Sequence, residues 1–158
     1  MTHTYLIKRA GLLIGFGMGG FIDGILFHQI LQVHNMLSNR IFPDNLIKME
    51  VNMFWDGIFH VLTWVTTLIG ISLLWKAVNN GTKHNANLTP YFLGAALCGW
   101  GCFNIIEGII DHHMLKLHHV IQRTTMPIQL YWDLAFLLVG VVLLLTGIWL
   151  INKKSKSP

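Results

Sequence analysis

The chain has 158 residues, 53% of them hydrophobic and only 11% charged, with a formal net charge of +4. Together with a mean hydropathy of +0.54, this balance fits a polytopic membrane protein better than a soluble one. Lysine and arginine sit in the breaks between apolar runs rather than in a stripe, so nucleic acid is excluded as a partner and the lipid bilayer takes its place.

Four apolar segments reach the roughly 20 residues that a helix needs to cross a bilayer. They run from Ala10 to Val33, Met53 to Trp75, Tyr91 to Asp111 and Ile128 to Ile151. Lys8 and Arg9 before the first run mimic a signal peptide, but no small-x-small cleavage site follows, so it reads as a retained span. Gly11, Gly15 and Gly19 in this run are spaced by four, as are Gly20 and Gly24, which lets helix backbones approach closely. That stripe suits internal packing and a homo-oligomer equally. Pro43, Asp44 and Asn45 mark a turn before the second span, and Asn79 to Thr89 is a polar break. The third span is expected to continue past Asp111 as an amphipathic helix carrying the histidines that follow. Pro127 opens the fourth. Strands are excluded, because four segments cannot close a barrel.

The chain repeats itself. Phe21 to Asn35 matches Ile105 to His119 after a shift of 84 residues, which sets Asp23 on Glu107, Gly24 on Gly108, His28 on His112 and His34 on His118. Phe54 to His60 resembles Tyr131 to Leu137 after a shift of 77. The expected fold is therefore an all-α membrane protein: a four-transmembrane-helix bundle built from two parallel helix-hairpin repeats, about 10–78 and 88–151, within one domain spanning 1–158. Parallel repeats imply a pseudo-two-fold axis along the membrane normal. The halves are not equivalent, since Leu137 stands for His60 and Phe27 for Asp111.

Orientation follows from the basic residues. Lys8, Arg9, Lys76, Lys83, Lys153, Lys154 and Lys156 share one side, and Arg40, Lys48, Lys116 and Arg123 the other. The excess places both termini in the cytoplasm. His28, His34, Asp56, His60, His112, His118, His119 and Asp133 then converge on one layer facing the periplasm.

Ionisable groups at membrane depth cost several kcal/mol unless paired, hydrated or metal-bound. Here the acids Asp23, Asp56, Glu107, Asp111 and Asp133 meet most of the histidines. At about 100° per residue, Glu107, Asp111 and His118 would fall within about 40° of one another on a continuous helix. Neutral imidazoles are common metal ligands, and a ligating histidine usually gives its other N–H to a carboxylate. The expected ligands are His28, His60, His112 and His118, with His34 and His119 close behind. Asp23, Asp56, Glu107, Asp111 and Asp133 orient imidazoles or balance the metal charge.

Histidine-rich sites take copper, zinc, iron or nickel. Copper is favoured by the extracytoplasmic side and by the thioethers of Met36, Met53, Met114 and Met126, supplied by an extracytoplasmic electron or metal donor. Haem b is the alternative, with His28 and His112 as axial ligands at matching depth. Covalent haem is excluded, because no Cys-x-x-Cys-His occurs. The spacing of four between acid and histidine argues against a ferritin-like di-iron template, which wants Glu-x-x-His. Cys98 and Cys102 point away from Glu107 and read as inert packing. Without a metal, the same layer would be a hydrogen-bonded network in an assembly factor, or a proton-conducting path.

The motifs FIDGILFHQILQVHN, WDGIFH and FNIIEGIIDHHMLKLHHV, over Gly11 to Gly147, resemble a family of small bacterial four-span membrane proteins catalogued as a domain of unknown function. The resemblance implies a membrane four-helix bundle in a bacterial inner membrane and brings no activity with it. The expected function is an integral membrane metal-binding protein with a redox role (electron transfer or metal oxidation) or a metal-handling role, the former making it a copper-dependent oxidoreductase.

Overall fold

The structure, a computed structural model, describes residues 3–80 and 88–155. Lys83 and Lys156, used above to set the orientation, lie outside them. All regular structure among the described residues is helical: α1 (His3–Ile22), α2 (Leu46–Asn80), α3 (Thr89–Glu107) and α4 (Met126–Ser155). α1 runs on through wider, π-helical turns over Asp23–Ile30, and α3 does the same over Gly108–Met114. Each of the four is long and apolar enough to cross a membrane.

The expected spans thus stand, with longer ends. α2 and α4 begin earlier than their apolar runs, at Leu46 and Met126. The first span ends earlier than the sequence suggested, at Ile30, and the third continues past Asp111 only as far as Met114. Two residues on, Gln32 and Lys116 both take φ of 50°, a left-handed conformation that stops a helix. These two non-glycine residues are related by the 84-residue shift. So are the bonds closing each end: Leu31 and Val33 N–H donate to Leu26 and Phe27 C=O (2.8 and 3.1 Å), and Leu115 and Leu117 N–H to Ile110 and Asp111 C=O (2.7 and 2.8 Å). The helical extension beyond Asp111 is therefore real but short: it carries His112 and His113 and stops before His118. His118 and His119, like His34, ride on non-helical links that fold back over the helix ends.

α1 and α3 form an inner pair, flanked by α2 on α1 and α4 on α3. His3 Nε2 bonds the Ala77 carbonyl (2.8 Å), and Leu88, Tyr91 and Phe92 pack on Leu6 and Ile7, so α1 and α3 are parallel and α2 antiparallel to them. The outer helices bury polar groups and expose apolar ones. α2 hides Asn52, Asp56 and Thr63 while presenting Val61, Leu62, Trp64 and Leu68 outward, and α4 presents Leu138, Val142 and Leu145. That inversion is the pattern expected where the outer solvent is hydrocarbon.

Glycine makes the inner contact. A Cβ added at Gly15 would lie 1.9 Å from the Ala96 carbonyl oxygen, and one at Gly99 would lie 2.0 Å from that of Leu12. Both positions and both partners are related by the same shift. The stripe in the first span is used within the chain, bringing two backbones into direct contact. Gly15→Ala is accordingly expected to destabilise the protein by about 1–3 kcal/mol, since backbone cannot move aside as a side chain can. Gly57, where an added methyl meets nothing within 4 Å, is the control: Gly57→Ala should instead stabilise by up to about 1 kcal/mol. Thermal unfolding of both variants in one detergent reads the opposite signs.

Candidate metal centre

The wide turns at Asp23–Ile30 and Gly108–Met114 aim Asp23 and His28, and Glu107 and His112, toward the axis between α1 and α3. The links then return His34 and His118 over the top. All six are buried, none more than 4% exposed. They form two related tripods, Asp23/His28/His34 and Glu107/His112/His118.

Within the first tripod, His28 Nε2 lies 3.0 Å from Asp23 Oδ2, and His34 Nε2 lies 3.9 Å from Asp23 Oδ1. In the second, His118 Nε2 lies 3.8 Å from Glu107 Oε1. The tripods interlock: the His34 and His118 rings stack in parallel, with centroids 4.5 Å apart and planes 5° apart. Ligand atoms of His28, His34 and His118, of Glu107, His112 and His118, and of Asp23, His28 and Glu107 each lie within 4.8 Å of one another.

The Nδ1 side of each ring is held from behind. His28 Nδ1 bonds Asp56 Oδ1 at 2.8 Å. His34 Nδ1 donates to the Val120 carbonyl (2.9 Å), and His118 Nδ1 to the Met36 carbonyl (3.1 Å). Each half therefore fixes a ring of the other half, and these bonds direct the basic Nε2 atoms inward. His112 Nδ1 sits 3.4 Å from Asp133 Oδ1 without the alignment of a hydrogen bond. His28 Nε2 and Asp23 Oδ2 face each other at 3.0 Å, and the other inward atoms have no hydrogen-bond partner: Nε2 of His34, His112 and His118 and both Glu107 carboxylate oxygens are buried and unsatisfied. Leaving a buried polar group unmatched costs about 1–3 kcal/mol. Burial, reinforced by the neighbouring His34, His112 and His28, holds the His118 imidazole well below its usual pKa, so it is neutral and has a free lone pair.

Asp56 and Asp133 act from the outer helices. Asp56 also accepts the Met36 N–H (2.7 Å) and Asn35 Nδ2 (3.1 Å). Asp133 accepts the Val120 N–H (2.9 Å) and His119 Nδ1 (2.6 Å). His119 is therefore the counterpart of Asn35: it steadies a carboxylate and does not join the inward set. His60 stands on α2 against Gly24 and Phe21, its Nε2 buried and unpartnered, but outside the three close groups of ligand atoms. Asp111 is half-buried and outside them too.

Sequence reasoning overlooked Asn52, fully buried four residues before Asp56. Its Oδ1 accepts the Leu37 N–H (3.0 Å), and its Nδ2 donates to the Ile41 and Lys48 carbonyls (2.8 and 2.9 Å), pinning the first link. The shared helical face with Asp56 was the available signal. The thioethers of Met53, Met114 and Met126 are exposed on the outside, away from the buried cluster. At the link end, a cavity of about 490 Å³ reaches His112 between His113, Lys116, His119, Pro127 and Asp133.

No match was found among curated proteins or among solved structures. Residues 10–154, which contain both repeats and every member of the two tripods, match the family described as "Predicted membrane protein (DUF2243)", and the chain belongs to that family.

Proposed function

We propose that this protein is an integral membrane metal-binding protein that holds copper between Asp23, His28, His34, Glu107, His112 and His118, for redox work or metal handling. The observation that carries this reading is the convergence of four buried imidazole Nε2 atoms and two carboxylates, of which only His28 and Asp23 meet at hydrogen-bond distance while the other Nε2 atoms and Glu107 are left unsatisfied. Such groups are retained where an ion completes them. Copper is favoured by the ligand type, since imidazole suits it and it heads the divalent affinity order at a given nitrogen and oxygen site. Six donors in two tripods exceed the four of a closed tetrahedral site, which favours a centre with two ions. Ring centroids between 4.4 and 6.5 Å apart suit ions between the imidazoles rather than a porphyrin slab.

The basic residues favour an inner-membrane setting with both termini cytoplasmic and the centre toward the periplasm. The cavity beside His112 and His119 then faces the side from which an electron or metal donor would act.

Elemental analysis and absorption spectroscopy on detergent-purified protein without a His-tag test this. Copper at one to two equivalents per chain with no Soret band is the expected result. Protein that remains metal-free after reconstitution with copper would overturn the reading, leaving the layer as a structural or proton-carrying network. Iron with a Soret band would replace copper by haem.

A further inference from the structure

A second cavity reaches the centre from the side rather than from the link end. It holds about 220 Å³ between α1, α3 and α4, and its polar lining residues are the buried Asp23 and Asn104. Phe27, Trp100, Trp132 and Phe136 form its walls. Trp132 and Val139 at its rim are exposed on the apolar outer surface, at 42% and 50%. Asp23 is 2% exposed; its Oδ2 faces His28 Nε2 at 3.0 Å, and a carboxylate with two oxygens keeps lone pairs for a further donor. An entrant must therefore come through hydrocarbon and meet aromatic faces before one carboxylate.

The repeat supplies an internal comparison. The equivalent cavity on the other side, about 180 Å³, has Glu107 at the matching place, with Phe16, Phe59 and Phe103. There, however, Asp111 replaces Phe27, Phe16 replaces Trp100, and Thr63 and Thr66 join the lining. The two sides have diverged: one carries a second carboxylate and two threonines among its apolar walls, and the other is walled by four aromatic rings.

We propose that the aromatic cavity beside Asp23 binds a small hydroquinone dissolved in the bilayer. An apolar cavity of about 150 Å³ accommodates a benzene ring, so this one has room for a single substituted ring. Trp and Phe walls favour a planar occupant through offset or edge-to-face contacts. A neutral molecule crosses lipid where a charged one does not, and a ring hydroxyl supplies the donor that the buried carboxylate can accept. A lipid acyl chain would match the walls but not Asp23. The preference for a redox-capable ring over other phenols rests on the redox reading of the metal centre.

The test is quenching of tryptophan fluorescence by a short-tailed ubiquinol analogue, titrated anaerobically into the purified full-length protein. Saturable binding of one equivalent is expected. Two variants, Ala135→Phe and Val139→Phe, narrow the cavity from positions outside the tripods, the second at an exposed site where folding is undisturbed. Both should weaken binding at least about tenfold while metal content stays unchanged. The dimethyl ether of the same ring, which has no hydroxyl to donate, should bind at least about tenfold more weakly. Quenching that rises linearly without saturation, that ignores both variants, or that is as strong with the ether would overturn the proposal. Metal-loaded protein that fails to bind sinks this inference alone. Metal-free protein that binds and discriminates against the ether sinks the metal reading and leaves the cavity assignment standing.

Discussion

His118→Ala is expected to lower metal affinity at least about 100-fold, beyond the 10–100-fold typical of losing a group that merely supports a ligand. His34→Ala should match it, because the two stacked rings occupy equivalent places. The double variant should purify without metal. The metal-free protein should meanwhile lose little stability: each ring makes one hydrogen bond, to the Val120 or Met36 carbonyl, and its Nε2 is an unsatisfied buried atom that the substitution removes. The melting temperature of the loaded wild type should exceed that of the variants by the linkage between binding and folding. His119→Asn separates the two tiers of the site. Asn35 already fills the corresponding place in the first half, so the swap should keep near-full occupancy. Loss of metal from His119→Asn, or full occupancy in His34→Ala/His118→Ala, would refute the ligand assignment; elemental analysis reads both.

Asp56→Ala should produce the largest loss of stability of any single change at the site. Asp56 is 1% exposed and receives the His28 ring, the Met36 N–H and the Asn35 amide. Truncation strands these donors in a buried layer, and breaking such a group by removing one partner costs about 3–5 kcal/mol. It also frees His28 to rotate, so the metal should bind about 10–100-fold more weakly. Asp56→Asn keeps the shape but presents an amide donor to one of the three incoming donors, and should fall between the wild type and Asp56→Ala. Thermal unfolding with and without added copper separates the two effects. A melting temperature unchanged in Asp56→Ala would show that the carboxylate does not organise the first link.

Much of this was legible in the sequence because membrane burial and duplication both leave strong periodic marks. The four spans, the two-fold repeat and the convergence of Asp23, His28, Glu107 and His112 follow from apolar length and the 84-residue shift. The ends of the first and third helices did not. Gln32 and Lys116 have no intrinsic preference for left-handed backbone, so tertiary contacts impose it, and no local pattern announces where the helix stops. Glu107 and His118 do meet, but through a folded-back link rather than the continuous helix on which their shared face was reckoned. The demotion of His119 was also hidden. A histidine and an asparagine at equivalent positions look unalike until both are seen holding an aspartate. The carbonyls of Met36 and Val120 orient two rings from the backbone, where side-chain identity carries no signal.

The bonds from His34 to Val120 and from His118 to Met36 make the two hairpins mutually dependent. Neither hairpin can finish its own half of the site, because the group that aims each upper ring belongs to the other. A ribosome delivering the chain to the membrane releases the first hairpin well before the second, with Asp23, His28 and His34 waiting in an incomplete layer. On the metal reading proposed above, capture would be the last event of insertion rather than an early scaffold, and a loaded centre would certify that both halves have met in register.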